Sequence, residues 1–590
     1  MQNEDLDSKL NKREKYKARL RPIDYFKEFD SLDFESLGEG DRFYLQDFGI
    51  FNTDFLEDEF TMRLRVPAGR LSAEQFSLIA DVVDKYDLTI IITARGGLQL
   101  HELEADNVAE IWKKFNSHGL TTWQSFGDNI RNIVSDVYDG RGKYAKIEVN
   151  HIVEQMQEFI LKNPRYVGML PRRVSIGISG NSANVTSFFA NDIYFALAKK
   201  DKVNDEGREG PLGDKIFGFN VYMGGKNTEI AKCADIFLKE DEVFDFFKAF
   251  VEAFYLHGSR FSRSKTRLFY MIEDIGMDGL RAHIQREYKT PLQSAGELQL
   301  TKEKFELYEE LNDGSFGFCY HTDFSRLNPQ EMKKIAEFAT EQNAEIRIGI
   351  DQNIYLLGLK EKSVPFTSLT QSSTVVTCAG NLCPYAVWSI KDETSYIPLE
   401  KIEKHQIQVG FSGCAKGCGR HRHTDIGLIG LKTNNFGDVD GGARVFLGAI
   451  HTHGSTVGAM IFSMVPFVHL NTVLTLIIDI YEKSGYKDFE EYAHNVLNKF
   501  SSEFLALWYL ANLETSQTLE LKVENNPSLG SDDSFEYEKS LIHRHFEGLE
   551  SLQNIDDKFF DTISALSKKL WTVAGEDPHY KPPIERNKFR

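Results

Sequence analysis

Four of the six cysteines form two tight pairs: Cys378 and Cys383 in TCAGNLCP, and Cys414 and Cys418 in FSGCAKGCGRHRH. Four thiolates on two short loops can hold a tetrahedral zinc ion or a cubane iron–sulfur cluster. The spacings C-x4-C and C-x3-C suit either centre, so the cysteines alone leave both open. Cys233 and Cys319 stand apart from the pairs and read as unligated core residues. This clustering is the pattern of metal ligands in a reducing compartment, not of a disulfide framework.

A second set is cationic. Arg63 and Arg65 in TMRLRV, Arg95 in TARGG, Arg131 in DNIRN, and Arg172 and Arg173 in LPRRV all sit in apolar or Gly-rich settings. An isolated strand arginine usually faces solvent. Six of this kind read as a converging pocket for a small oxyanion or a polycarboxylate.

The chain as a whole is acidic, with a net charge of −19 from 69 basic and 88 acidic residues. That balance argues against general nucleic-acid binding. Residues 9–21 run the other way, with seven basic residues and Glu14 as the single acid. They read as a solvated helix or as a basic arm for an acidic partner. The polar N-terminus predicts no secretory signal, hence a cytoplasmic protein. Residues 457–478 contain no Lys, Arg, Asp or Glu, but Pro466 and Asn471 interrupt them. A buried helix over 470–481 is expected there, not a membrane span.

At 590 residues the chain needs several cores. A strand–helix–strand unit appears twice, in GRLSAEQFSLIADVVDKYDLTIIITARGGLQLHEL and in SRLNPQEMKKIAEFATEQNAEIRIGIDQNIYLLGL. Both run Arg-Leu, a polar step, a helix of similar length and an apolar strand, which points to internal duplication. The expected fold class is α+β: two ferredoxin-like half-domains with pseudo-two-fold symmetry, each followed by a larger αβ domain. The expected boundaries are an extension over 1–55, half-domains over 56–125 and 296–370, αβ domains over 126–295 and 371–500, and a helical extension over 501–590. A linker is expected at 525–534.

Taken in order, the motifs identify the chain as resembling the siroheme-dependent nitrite and sulfite reductases. They are RxRxPxG, T-x-R…Q-x-H, D-x-x-RN, LPRR, ND, GFN…GG, RFSRSKTRLFY and the two cysteine pairs, and they span roughly residues 45–500. The resemblance implies a 4Fe-4S cluster on Cys378, Cys383, Cys414 and Cys418, with Cys418 shared with the siroheme iron. It implies siroheme contacts from Arg95, Arg172, Asn220, Gly224, Gly225 and Gln352. Arg65, Arg131, Arg173 and Ser175 fall at the substrate-binding positions. The implied reaction is six-electron reduction of sulfite to sulfide or of nitrite to ammonia. No G-x-G-x-x-G dinucleotide fingerprint follows a strand, so a ferredoxin or flavoprotein donor is expected.

The chain departs from the family pattern at several points. The first pair is C-x4-C where C-x5-C is usual, Arg173 stands for a lysine, Ser175 is neutral, and a Gly-Gly becomes GAIH at 448–451. His421, His423, His451 and His453 near the cysteines read as exposed loop residues. The alternatives are a precorrin-3B synthase-like enzyme on the same scaffold and a zinc-stapled binding protein.

Overall fold

The computed structural model describes residues 9–515 except 54–55, 185–186, 202–214, 303–305, 369–373, 392 and 437–438. The expected linker at 525–534 and the helices expected beyond it lie outside the described residues. The chain divides into two compact units, Met1–Thr370 with Thr452–Gly454, and Gln371–His451 with Ser455–Arg590.

The repeat in the sequence is a repeat in space. The first copy runs Leu56–Leu64, Arg70–Leu71, helix Ala73–Lys85, Thr89–Ile92 and Leu98–Leu103. The second runs Phe316–Tyr320, Arg326–Leu327, helix Pro329–Gln342, Glu345–Ile348 and Ile354–Leu359. Each helix buries residues at i, i+3, i+4 and i+7: Phe76, Ile79, Ala80 and Val83 in one, with Val82 besides, and Met332, Ile335, Ala336 and Ala339 in the other. Ser72 caps the first through the amide of Gln75, and Asn328 caps the second through Gln330 and Glu331. The helices pack together, with Lys333 bridging to Asp81 (3.1 Å) and Asp84 (2.9 Å).

The copies also exchange a strand. Arg70–Leu71 pairs with the second copy, Leu71 opposite Ile346 and Arg70 opposite Arg347. Arg326–Leu327 pairs with the first copy, Leu327 opposite Ile90 and Arg326 opposite Ile91. The Arg-Leu dipeptide that opens each repeat is therefore the edge strand of the other repeat's five-stranded sheet. One continuous apolar core fills both halves.

A further likeness is hidden in the sequence. The larger sheet of the first unit has Ile130–Ser135, Val174–Ser179 and Ile193–Asp201 parallel, then Lys215–Met223 and Lys232–Leu238 antiparallel. The sheet of the second unit has Val375–Thr377, Val409–Ser412 and Ile426–Phe436 parallel, then Val439–Leu447 and Ala459–Pro466 antiparallel. Strand order and sense are the same.

The N-terminal segment is part of the first unit's core. Phe29, Phe34, Phe43, Tyr44, Leu45 and Phe48 join the cluster of the ferredoxin-like halves. Its helices and 3-10 turns are short, so each buries one to three residues and no single period shows. Residues 457–478 divide between the strand Ala459–Pro466 and the helix Phe467–Ser484. Among the described residues no helix is long and apolar enough to cross a membrane.

Candidate active site: an arginine cluster and a cysteine quartet

In the first unit Ile130 pairs with Val174, so Arg131 and Arg173 stand at the same end of adjacent parallel strands. The Arg131 guanidinium donates to the carbonyls of Ser125 and Gly127 (3.0 Å). Arg63 lies over the Phe126 ring at 3.9 Å and donates to Gln99 Oε1 at 2.7 Å. Arg95 occupies a tight loop in which Thr93 Oγ1 accepts from the amides of Arg95 and Gly97. Burial, then the charges of Arg173, Arg63 and Arg95, hold the Arg131 pKa well below the usual guanidinium range. Arg131 therefore feels each of the other three.

Two donors in this region lack partners. Arg131 Nε and Arg172 Nε are buried without a hydrogen-bond acceptor among the described residues. The Arg172 pKa is pushed down to about 9 by burial and then by Arg263, with Asp128 opposing. Mutually repelling cations with unmet donors are a receptor for an anion.

The other predicted side chains have internal partners. Arg65, 2% exposed, donates to Gln157 Oε1 (2.8 Å) and to the carbonyls of Ile130 (2.7 Å), Arg131 (3.1 Å) and Gln124 (3.3 Å). Ser175 is fully buried; its hydroxyl donates to Asp192 Oδ2 (2.7 Å) and accepts from the Asp192 amide (3.0 Å). Burial alone would raise Asp192, yet Arg267 and Arg173 keep its carboxyl below the usual range. Asn220 exchanges hydrogen bonds with the backbone of Gly296, both at 2.8 Å. Gln352, at φ +70°, donates to the Ile92 carbonyl at 2.8 Å and so ties the two repeats together. A Cβ at Gly225 would collide with the carbonyl oxygens of Asn191 and Phe189. Gly224, at φ +88°, donates its amide to Asp192 O.

In the second unit the strands Val375–Thr377 and Val409–Ser412 lie parallel, with Thr377 opposite Phe411. Cys378 follows the first and Cys414 follows the second, so both pairs leave the same sheet edge. Cys378 Sγ accepts from the amides of Gly413 (3.1 Å) and Gly380 (3.3 Å). Burial pushes the Cys378 thiol up to about 11, with the Cys418 thiol adding to the rise. Cys383 and Cys414 are raised by burial and also feel Cys418, while Lys416 favours both thiolates. The Cys418 thiol thus acts electrostatically on each of the other three.

Comparison with known proteins gives the frame. The profile described as "Nitrite and sulphite reductase 4Fe-4S domain" matches residues 126–292. That described as "Nitrite/Sulfite reductase ferredoxin-like half domain" matches 56–118 and 309–365. A ferredoxin–nitrite reductase of Synechococcus elongatus is 28% identical over 478 residues, covering 75% of this chain and 90% of that protein. An assimilatory ferredoxin-dependent nitrite reductase of Haloferax mediterranei is 25% identical, covering 73% and 82%. The chloroplastic ferredoxin–nitrite reductase of Arabidopsis thaliana is 26% identical, covering 76% and 83%. Mycobacterium tuberculosis NirA protein shares the fold with a TM-score of 0.72 at 20% identity, covering 84% of this chain and 97% of that one. The chain belongs to the nitrite and sulfite reductase family.

The cofactors of a nitrite and sulfite reductase are siroheme and a 4Fe-4S cluster, and the residues present fit both. Four thiols on loops that follow adjacent parallel strands are a ligand set a cubane cluster can take. Amide donors on Cys378 stabilise a thiolate ligand. The orphaned guanidinium nitrogens suit the carboxylates of siroheme.

Some expectations change. His421, His423 and His451 are buried, and only His453 is exposed. His421 is packed on Phe446, its Nδ1 3.0 Å from Ser412 Oγ, and burial pushes its pKa down to about 3. His451 Nε2 faces Asp425 (3.2 Å) and Glu490 (3.8 Å). Loops that fold back over a sheet edge bury their polar residues, which polarity alone does not reveal. Cys233, expected in the core, is exposed on the strand Lys232–Leu238, while Cys319 is fully buried.

Sequence reasoning gave no role to Asp128 in DNIRN or to Arg263 in RFSRSKTRLFY. Lys17 was read as part of a solvated run or docking arm. It is 3% exposed and bound to Asp128 at 2.9 Å.

Proposed function

We propose that the chain reduces nitrite or sulfite by six electrons, to ammonia or sulfide, with electrons from a separate ferredoxin-type protein. The observation that carries this reading is an arginine cluster with unmet donors in the same chain as four cysteines on two loops that follow adjacent parallel strands. When bound, siroheme and the cluster would relay the donor's electrons and offer an iron to the anion. Cys378, Cys383, Cys414 and Cys418 would hold the cluster. Arg95 and Arg172 cradle siroheme carboxylates.

Arg131 and Arg173, with Arg63 beside them, attract the oxyanion and donate to its oxygens. Their charge stabilises the negative charge that builds on each oxygen as its bond to nitrogen or sulfur weakens. Guanidinium groups keep their own protons, so they orient water to deliver the proton. Arg65 and Ser175 act one step back: Arg65 fixes the backbone that carries Arg131, and Ser175 fixes Asp192. The names of the relatives favour nitrite, and the neutral Ser175 agrees with that choice. Reduced methyl viologen, then reduced ferredoxin, with each anion in turn tests the reading. Ammonia or sulfide formation is expected, and turnover of neither anion overturns it.

A further inference from the structure

The helix Lys12–Arg19 reaches the arginine-bearing segments through buried charge. Lys17 Nζ has three acceptors: Glu14 Oε1 (2.6 Å), Asp128 Oδ2 (2.9 Å) and the carbonyl of Leu170 (2.7 Å). Asp128 lies three residues before Arg131, and Leu170 lies two before Arg172. Asp128 is also held by both Arg263 Nη atoms, at 2.7 and 2.8 Å. Glu14 passes its second oxygen to Arg260 at 2.6 Å. Three successive carbonyls ahead of Arg172 are each gripped by a cation: Met169 by Arg260 (3.0 Å), Leu170 by Lys17, and Pro171 by Arg263 (3.4 Å).

Charge makes this arrangement matter for the anion. Asp128 is the acid whose field reaches both Arg131 and Arg172 and opposes their positive potential. Arg13 adds a further positive charge acting on Asp128, and Asp47 is a second buried carboxyl that feels it. A carboxylate there that was not neutralised would cancel part of the field that draws in an oxyanion.

We propose that Lys17 is a positioning residue for the oxyanion site: it commits the charge of Asp128 and so keeps it from quenching the arginine cluster. This rests on the reductase reading above. The sequence run 9–21 then has an inward electrostatic duty.

The test uses the full-length holoenzyme with Lys17→Met and with Lys17→Met/Asp128→Asn. Steady-state kinetics with reduced methyl viologen are paired with calorimetric titration of the same anion in the absence of reductant. Lys17→Met is expected to raise both KM and the anion Kd about tenfold, the scale of one lost positive charge acting at roughly 10 Å. kcat is expected to stay within about twofold, since the reacting groups are untouched. The double variant removes both charges and is expected to recover most of the lost affinity. A Lys17→Met enzyme with lowered thermal stability but wild-type KM and Kd overturns the proposal. So does a double variant as weak as the single one. If Lys17→Met does not fold, the double variant decides alone: affinity within about threefold of wild type supports the proposal, and a tenfold loss overturns it. Wild-type enzyme that reduces neither anion overturns the reductase reading instead, and this proposal falls with it.

Discussion

Asn132 Nδ2 donates to the carbonyl oxygen of Arg95 at 3.0 Å. The same amide pairs with Val66, giving to its carbonyl at 2.9 Å and accepting from its N–H at 3.0 Å. One buried side chain next to Arg131 thus ties together the segments that carry Arg65, Arg95 and Arg131. The arginines are placed by backbone clamps, not by their own reach.

Asn132→Ala leaves the polar groups of Val66 and Arg95 short of partners. A loss of about 1–3 kcal/mol in unfolding free energy is expected, read by denaturant titration. The looser Arg95 loop should also raise KM for the anion more than it lowers kcat.

Asp192 is fully buried and is paired with Arg267 Nη2 at 2.8 Å and Nε at 3.2 Å. Arg267→Met removes the main counter-charge and leaves a buried carboxylate. A destabilisation of about 3–5 kcal/mol is expected, visible as a lower Tm. Adding Asp192→Asn should recover part of it, because the uncompensated charge is gone.

Burial pushes the Asp47 carboxyl up to about 7, against an opposing hydrogen bond from Asn129 Nδ2 (2.5 Å). Its folded pKa lies above its unfolded value, so the stability this group contributes is complete at low pH. That stability falls as pH rises and is lost once pH passes about 7. Asp47→Asn keeps the shape and removes the charge. Measured by thermal unfolding between about pH 5 and 8, the gap between variant and wild type should widen in the variant's favour as pH rises.

The sequence made the repeat legible because helix burial repeats at i, i+3, i+4 and i+7 in both copies. It could not show that Arg70–Leu71 and Arg326–Leu327 cross into each other's sheets, since pairing over more than 230 residues leaves no local signal. The matching strand order of the two larger sheets was hidden for another reason. The crossover helix is Asn150–Lys162 in one and only Leu399–Lys404 in the other, so spacing is not preserved. Arg63, Arg95, Arg131 and Arg173 were readable as a set because charge on an apolar strand is unusual. Lys17 was not, because a buried lysine inside a basic run looks like its solvated neighbours until Asp128 is seen beside it.

The cysteines divide cleanly by role. Cys414→Ser is expected to lose most iron and acid-labile sulfide, because a hydroxyl is a poor substitute for a thiolate on iron. Cys233→Ser, at an exposed site away from the quartet, should leave both unchanged.

Metal and chromophore analysis of the purified protein tests the central claim most directly. The account predicts iron with acid-labile sulfide, the absorption of siroheme, and no stoichiometric zinc. A colourless protein with zinc on the four cysteines would contradict it.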